Sequence, residues 1–496
     1  MNRKILHIVG WAIALALVIV PIASCAPGGS PGGAPAATTA APAATTAAQA
    51  ATAAATTQAA ATEPEVKPVT FSYWHGRNAD ATEGEKKVLE LYIEEFQNAF
   101  PHITVDSRPT KPGTDYREQY DKALMANDGP TLNEQLPHVD IQTRINNGTI
   151  ADVSKYMENF DLRLDGKVID VFDDAIRDKD GKWYAIPIRQ YFMAHAYNSE
   201  TIKAGGESVD NLPTDWESFG EYTQRLTNPA EQRYGYVFIG SDYLAWNFTP
   251  WVWAAGGEMV RPNSDGTYSI AFNEEPGIDT AMFWHDLVYK YKSTQTDLLK
   301  QWPDLQTDIQ AGYSALSWGV ATTFAARAEE KFGITPERFG STLIPGKTKD
   351  MSPVSFAGGG VWVMGPKATE EEMDAAWEFV KFTTYNEEFL TKVWEIEGEY
   401  NVASFVQMPA RNDLADLKFS FAQWPDHWAK EFAQLAEYAI PEPFCANWND
   451  LKNDIVIPMQ KVLLTENITR EEVKQLLDEC ADSLYEKYPD SFRLPN

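Results

Sequence analysis

The residues that stand out as chemistry are aromatic. Sixteen tryptophans and 21 tyrosines exceed what core filling asks of a chain this size, and flat rings with polar edges are candidate ligand platforms. The groups that make or break bonds show no matching arrangement. No Gly-x-Ser-x-Gly elbow, His-Glu-x-x-His helix, Cys-x-x-Cys pair, Walker loop or Gly-x-Gly-x-x-Gly turn occurs. The seven histidines lie far apart, none at i, i+4 spacing. A metal site would have to be assembled entirely by the fold, and neither metal nor cofactor is expected. A glycoside hydrolase needs two carboxyls facing each other across a sugar bond. Among 71 acidic residues nothing marks such a pair. His285, beside Trp284 in a helical stretch, reads as a packed residue.

The acidic excess excludes one partner class. With 42 basic against 71 acidic side chains the formal charge is −29, and a surface of that sign repels the phosphate backbones of nucleic acids. Arg3 and Lys4 precede an apolar run from Ile5 to Val20, then Ile22, Ala23, Ser24 and Cys25. This is a secretory signal over residues 1–24 followed by a cysteine for lipid attachment. The competing reading is an uncleaved anchor helix, since the run approaches the ~20 residues that span a membrane. Ala26 to Thr62 holds only Ala, Thr, Pro, Gly, Ser and Gln, which cannot offset the entropy of folding. Residues 25–65 therefore read as the lipidated Cys25 and a tether reaching about 35 Å as a coil. Export permits a disulfide between Cys445 and Cys480, whereas the helical stripe holding Cys480 favours a buried thiol.

From Val69 the chain alternates strand and helix patterns. Val69, Phe71 and Tyr73 alternate as a strand, with Trp74, His75 and Gly76 as the loop beyond it. Thr82 with Glu85 makes a capping box, and Val88, Leu89, Tyr92, Phe96 and Phe100 recur at helical spacing up to Pro101. Ile103 and Val105 begin a second strand, a helix runs around Tyr116 to Met125, and Leu136 to Ile141 reads as a third strand. This β-α-β-α order calls for a parallel sheet covered by helices. Thr214 with Glu217, Thr369 with Glu372 and Thr469 with Glu472 cap later helices. The last carries the stripe Val473, Leu476, Leu477, Cys480 and Leu484. No repeat or sustained heptad is present, which excludes solenoids and coiled coils.

Several stretches together resemble the extracellular solute-binding proteins of ABC importers, the family that includes maltose-binding and other sugar-binding members. They are Asp180-Gly-Lys-Trp-Tyr-Ala-Ile-Pro-Ile-Arg189, Ala196-Tyr197-Asn198, Gly205-Gly206, Leu212-Pro-Thr-Asp-Trp216 and Tyr234-Gly235. Ala254-Ala-Gly-Gly257, Ala315-Leu-Ser-Trp-Gly319, Ile344-Pro345 and Phe356-Ala-Gly-Gly-Gly360 continue the series. The order covers nearly everything after Val69. The chain departs from the family pattern at Pro137-His-Val-Asp140 and at Gly398-Glu-Tyr-Asn401, which bears on Gln142 and Tyr400. The resemblance implies an α/β, two-lobed periplasmic-binding-protein-like fold, each lobe a mostly parallel sheet flanked by helices. Lobe I is expected over 66–188 and 357–402, lobe II over 189–356 and 403–496.

Such a fold holds small ligands where the lobes meet and closes on them by hinge bending. A sugar, with C–H faces and a rim of hydroxyls, needs aromatic plates and hydrogen-bonding side chains. The resemblance directs attention to Trp74, His75 and Arg77 after the first strand, Trp246 and Trp251 with Trp253 in one cluster, and Trp318 in a stretch whose family counterpart faces the ligand. Trp448 in a late loop and Gln142 and Tyr400 complete the set. Arg189 and Gln190 follow the crossover. Arg189, a fork of five donors, suits hydroxyls or a carboxylate, or else a salt bridge holding the hinge. Gly359, within Gly358 to Gly360, can offer bare backbone to a ligand. Trp216, Trp362 and Trp377 are assigned to the core. The implied function is a lipid-anchored, monomeric, non-enzymatic receptor that delivers a carbohydrate to the permease of an ABC transporter. Its rivals are a secreted carbohydrate-active hydrolase, an adhesin, and a receptor for an organic acid, peptide or polyamine, the last with Asp242, Glu258 or Glu399 in the cleft.

Overall fold

Two strands give the molecule its plan, because each runs through both halves of it. The computed structural model describes residues 67–77, 81–111, 115–134, 136–241, 243–325, 328–400, 407–422 and 424–494. Cys25, the signal, the tether and Asp242 lie outside the described residues. Twelve strands follow in chain order: β1 Val69–His75, β2 Ile103–Pro109, β3 Leu132–Asn133, β4 Ile186–Asn198, β5 Tyr234–Val237, β6 Val260–Pro262, β7 Tyr268–Ile270, β8 Ser314–Gly319, β9 Phe339–Thr342, β10 Ser355–Met364, β11 Met408–Pro409 and β12 Ala439–Pro441. Except for the β6–β7 hairpin they form one mixed sheet with the order β2-β1-β3-β10-β4-β8-β5.

The first half of this sheet is the βαβ arrangement the sequence calls for. β1 pairs in parallel with β2 from Val69–Ile103 to His75–Pro109 and with β3 at Tyr73 and Trp74. β10 closes the group antiparallel to β3. In the second half β8 and β9 flank the end of β4 antiparallel, and β5 lies parallel to β8. Between the halves β4 and β10 run antiparallel, Gly358 opposite Tyr191, Gly359 opposite Gln190 and Gly360 opposite Arg189, with a register shift after Gly360. β11 adds a short third rung at Arg189 and Gln190. The glycines are needed there: a Cβ on Gly358 would lie 2.2 Å from the Tyr191 ring, and one on Gly359 2.1 Å from Phe172.

Two cores confirm the two-lobed α/β fold. One gathers Phe71, Tyr73, Phe96, Ile186, Trp362 and Phe379. The other gathers Phe192, Trp216, Tyr236, Trp251, Trp284 and Trp318, with the C-terminal helix Arg470–Lys487. Trp216, Trp362 and Trp377 are buried as assigned. The expected lobe boundary near 402 falls outside the described residues. Beyond it Leu414, Leu417 and Phe421 still pack with Val88 and Trp394 of the first lobe.

The capping signals placed three helix starts to the residue. Thr82, Thr369 and Thr469 each accept from the backbone of the glutamate three positions on, whose carboxylate takes the threonine N–H in return; such caps contribute about 1 kcal/mol each. The Thr214 box is corrected by one residue, since Asp215 caps the helix Trp216–Leu226 with Ser218 as partner. The third strand is corrected as well. It is Leu132–Asn133, and the segment 136–141 instead turns, because Pro137 has no N–H for a ladder and its carbonyl accepts from Asp140 N at 3.0 Å. Cys445 and Cys480 are free, buried thiols, which removes the disulfide reading.

Candidate ligand site between the lobes

Open α/β sheets bind ligands at the carboxyl ends of their parallel strands. In the first lobe those ends are His75, Pro109 and Asn133; in the second they are Val237 and Gly319. The middle of β4 and β10 forms the floor between them.

The first-lobe wall is rigidified by one carboxylate that the sequence reading did not single out. Glu134, just after β3, accepts from the Tyr73 hydroxyl at 2.6 Å, from Arg77 Nη1 at 2.8 Å and from Gly76 N at 3.3 Å. Burial pushes Glu134 up, but the Arg77 guanidinium and the Tyr73 hydroxyl outweigh it and hold the carboxyl below its ordinary range. Arg77 also lies over the Tyr92 ring, 5.1 Å from its centroid. Tyr116 and Arg117 form the next stretch of wall. The Arg117 guanidinium covers the Tyr116 ring at 5.0 Å, and its Nε donates to Asp140 Oδ2 at 2.8 Å.

The second-lobe wall is aromatic and partly open. Trp246 lies 5.5 Å from Tyr243 and 6.2 Å from Trp302, centroid to centroid. Tyr243 precedes the helix Leu244–Ala254 with φ 58° and is 39% exposed. On the first-lobe side, burial pushes the Tyr116 phenol up, Arg117 opposes this, and Asp140 raises it further. Tyr191 rises from the floor, edge-on to Trp246 at 6.5 Å. Direct bonds join the lobes nearby. Asn449 Nδ2 donates to Asp140 Oδ1, and Asn447 N donates to Thr143 Oγ1 at 3.0 Å.

Of the residues expected at the ligand, Arg189 shares a face of β4 with Tyr191 and Trp246 stands in the aromatic wall, whereas Gln190, between Arg189 and Tyr191 in the strand, is on the opposite face. The others are placed elsewhere. Trp74 ends β1 rather than opening a loop and is buried edge-on to Tyr120. His75, at the same strand end, has both ring nitrogens engaged, by Ser107 Oγ at 3.0 Å and by Arg77 N at 3.1 Å; burial lowers its pKa to about 4. Arg77 is committed to Glu134. Gln142 donates to the carbonyls of Ala175 and Arg177 at 3.0 and 2.7 Å, which fixes a turn. Trp251 sits among His195, Trp216, Phe219 and Phe283 in the second core. Trp318 is wholly buried behind Trp246 and Phe356. Trp448 is wholly buried, its Nε1 donating to Glu442 at 2.8 Å. Gly359 has its N–H taken by His138 Nδ1 at 3.2 Å and its face covered by Phe172. Tyr400 lies under the Lys87 ammonium at the surface. Glu258 and Glu399 are exposed, Glu258 paired with Arg261.

Tyr116, Arg117, Glu134, Asp140, Tyr191, Tyr243, Trp302 and Asn449 line this candidate site without having been singled out in the sequence. Trp302 carried a signal, standing directly before Pro303 at a helix start.

The family model for the bacterial extracellular solute-binding protein matches residues 92–440, and the chain belongs to that family. Solved structures share its fold. A solute-binding protein of Thermotoga lettingae bound with α-D-tagatose has a TM-score of 0.68 at 19% identity, over 84% of this chain and 99% of that one. An ABC substrate-binding protein of Listeria monocytogenes in complex with cycloalternan has 0.68 at 18%, over 86% and 100%. UgpB of Mycobacterium tuberculosis in complex with glycerophosphocholine has 0.67 at 16%, over 84% and 99%. No curated protein matches the sequence.

Proposed function

We propose that this protein is a lipid-anchored extracytoplasmic receptor that captures a carbohydrate between its lobes and delivers it intact to an ABC transporter. The observation that carries the reading is the facing of two unlike walls. Tyr243, Trp246 and Trp302 offer flat apolar plates, while Tyr116, Arg117, Tyr191 and Arg189 supply donors opposite and below. That combination suits a ring with C–H faces and a hydroxyl rim. The sugars named for the Thermotoga and Listeria proteins agree with it.

Binding without turnover is supported by the state of the cleft carboxylates. Glu134 is tied to Arg77 and Tyr73, Asp140 to Arg117 and Asn449, and Glu442 to Lys452 and Trp448. Held in ion pairs, none is poised as the protonated general acid that glycoside cleavage requires. A ligand touching both lobes favours closure by its differential affinity for that state, and a transporter can read the closed form. Calorimetry with a panel of mono- and oligosaccharides, run beside a reducing-end assay, tests the reading. Saturable binding with no new reducing ends is expected. Release of reducing ends, or silence toward every sugar, would sink it.

A further inference from the structure

Resting on the carbohydrate reading, we propose that the ligand is an acidic sugar whose carboxylate is received by Arg189. The argument is a count of donors and acceptors at the floor of the cleft. Every other cation there has its own partner. Arg77 pairs with Glu134 at 2.8 Å, Arg117 with Asp140 at 2.8 Å, Lys452 with Glu442 at 2.6 Å and Lys418 with Glu397 at 3.9 Å. Arg189 has none among the described residues. The residue is half-buried, and its guanidinium lies flat against Gly360, its Cζ 3.0 Å from where a Cβ would stand. The hinge salt bridge that its position suggested is not made. Among the described residues these four cations pair off with four carboxylates, and Arg189 is left without an ion pair of its own, although its charge helps hold the Glu134 carboxyl down.

The uncharged groups lean the same way. The Tyr116 and Tyr191 hydroxyls make no hydrogen bond among the described residues, and Tyr191 shares the floor with Arg189. Carboxylates, the usual acceptors for sugar hydroxyls, are instead engaged by protein donors. Glu134 alone takes three. A neutral sugar's hydroxyls both donate and accept, so they can satisfy the tyrosine hydroxyls, but they bring no charge to neutralise the guanidinium. A carboxylate brings two acceptor oxygens in the plane that a guanidinium fork fits, and leaving that fork unpaired in a closed cleft costs free energy. The overall charge of −29 opposes an anion only at long range, because at physiological salt the field is screened beyond about 8 Å.

The test is calorimetry on the mature protein at fixed ionic strength. Glucuronate, galacturonate and their disaccharides are compared with the parent neutral sugars and with sugar 6-phosphates. The uronate should bind at least tenfold more tightly than its parent. Arg189→Gln should erase that preference, weakening the uronate at least tenfold more than it weakens the neutral sugar, and Arg189→Lys should restore part of it; thermal unfolding verifies that each variant is folded. The comparison of ligands on the unaltered protein needs no variant at all. A parent sugar that binds as well as its uronate overturns the charge assignment and leaves the carbohydrate reading standing. Preference for the phosphate overturns the carboxylate assignment. Failure of every sugar, charged or neutral, overturns the reading beneath both.

Discussion

Removing one hydrogen bond between the lobes should loosen the grip on ligand without weakening the fold. Asn449, in the second lobe, donates to Asp140 of the first, and Asp140 is simultaneously held by Arg117 Nε at 2.8 Å with its side chain 4% exposed. Opening the cleft must break or stretch the Asn449 bond. A hydrogen bond to a charged group contributes about 1.5–3 kcal/mol. Asn449 is only half-buried, so water replaces it in the open form and the low end applies. About 1.5 kcal/mol shifts the open–closed equilibrium roughly tenfold. Asn449→Ala should therefore weaken ligand affinity by about three- to tenfold, the smaller figure applying where the closed form already dominates, and should speed ligand release. Asp140 keeps Arg117, so the ligand-free melting temperature should move by no more than about 2 °C. Calorimetry and small-angle scattering with and without ligand read the two effects. A double-mutant cycle with Asp140→Asn should show a coupling of at least about 0.5 kcal/mol in affinity. Additive effects, or a variant that binds as the parent does, would refute the reasoning and mean the contact persists through the motion.

Trp246 and Trp318 are neighbours with opposite assignments. Trp246→Ala should weaken sugar binding by about 1–3 kcal/mol, the worth of an aromatic anchor, with little change in melting temperature. Trp318→Ala should instead cost stability, about 3–5 kcal/mol for emptying a core site; the reverse pattern in paired calorimetry and denaturant titrations would exchange their roles. His195 lies wholly buried among Phe219, Tyr236 and Trp251, and burial pushes its pKa down to about 3. The unfolded chain takes up a proton near 6.5 that the fold refuses, so stability should fall as pH drops from about 6.5 toward 3. His195→Leu should flatten that limb by about one proton, roughly 1.4 kcal/mol per pH unit. A loss of unfolding free energy between pH 6.5 and 4.5 as large in His195→Leu as in the parent, read from urea titrations, would contradict the assignment. Cys25→Ser should release the protein from the membrane fraction of expressing cells, and its retention there would argue for an uncleaved anchor helix.

What was legible in the sequence was whatever local physics decides. The three threonine–glutamate boxes mark helix starts because cap and partner lie three residues apart in the chain. The alternation of Val69, Phe71 and Tyr73 marks a strand for the same kind of reason. The stretch from Asp180 to Arg189 was read as the passage between lobes. Within it Trp183 is clasped by Arg163 and Arg177, 4.1 and 3.7 Å from its ring, from outside the motif. The site was less legible because its residues are defined by what has not already claimed them. Trp251, in the same helix as Trp246, and Trp318, in β8, are the same residue type as Trp246, and only three-dimensional packing decides which ring stays open. Gln142, His75 and Arg77 have the right groups near the right strand ends, yet their partners, the carbonyls of Ala175 and Arg177, Ser107 and Glu134, lie 32 to 57 residues away along the chain.

The same long-range pairing explains how so acidic a chain can form a cleft with spare donors. Each carboxylate that reaches the floor arrives beside a cation from a different element: Glu134 after β3 with Arg77 after β1, Glu442 after β12 with Lys452 in the following helix. These pairs are buried, so breaking one partner out costs several kcal/mol, and they hold the walls at fixed spacing while the lobes move. The floor is different, because it must bend. β4 and β10 cross there on three glycines, and among the described residues Arg189 makes no ion pair. A salt bridge across that hinge would resist closure. Leaving Arg189 unpaired in the ligand-free protein lets the hinge flex and reserves the missing acceptor for the molecule whose arrival shuts it.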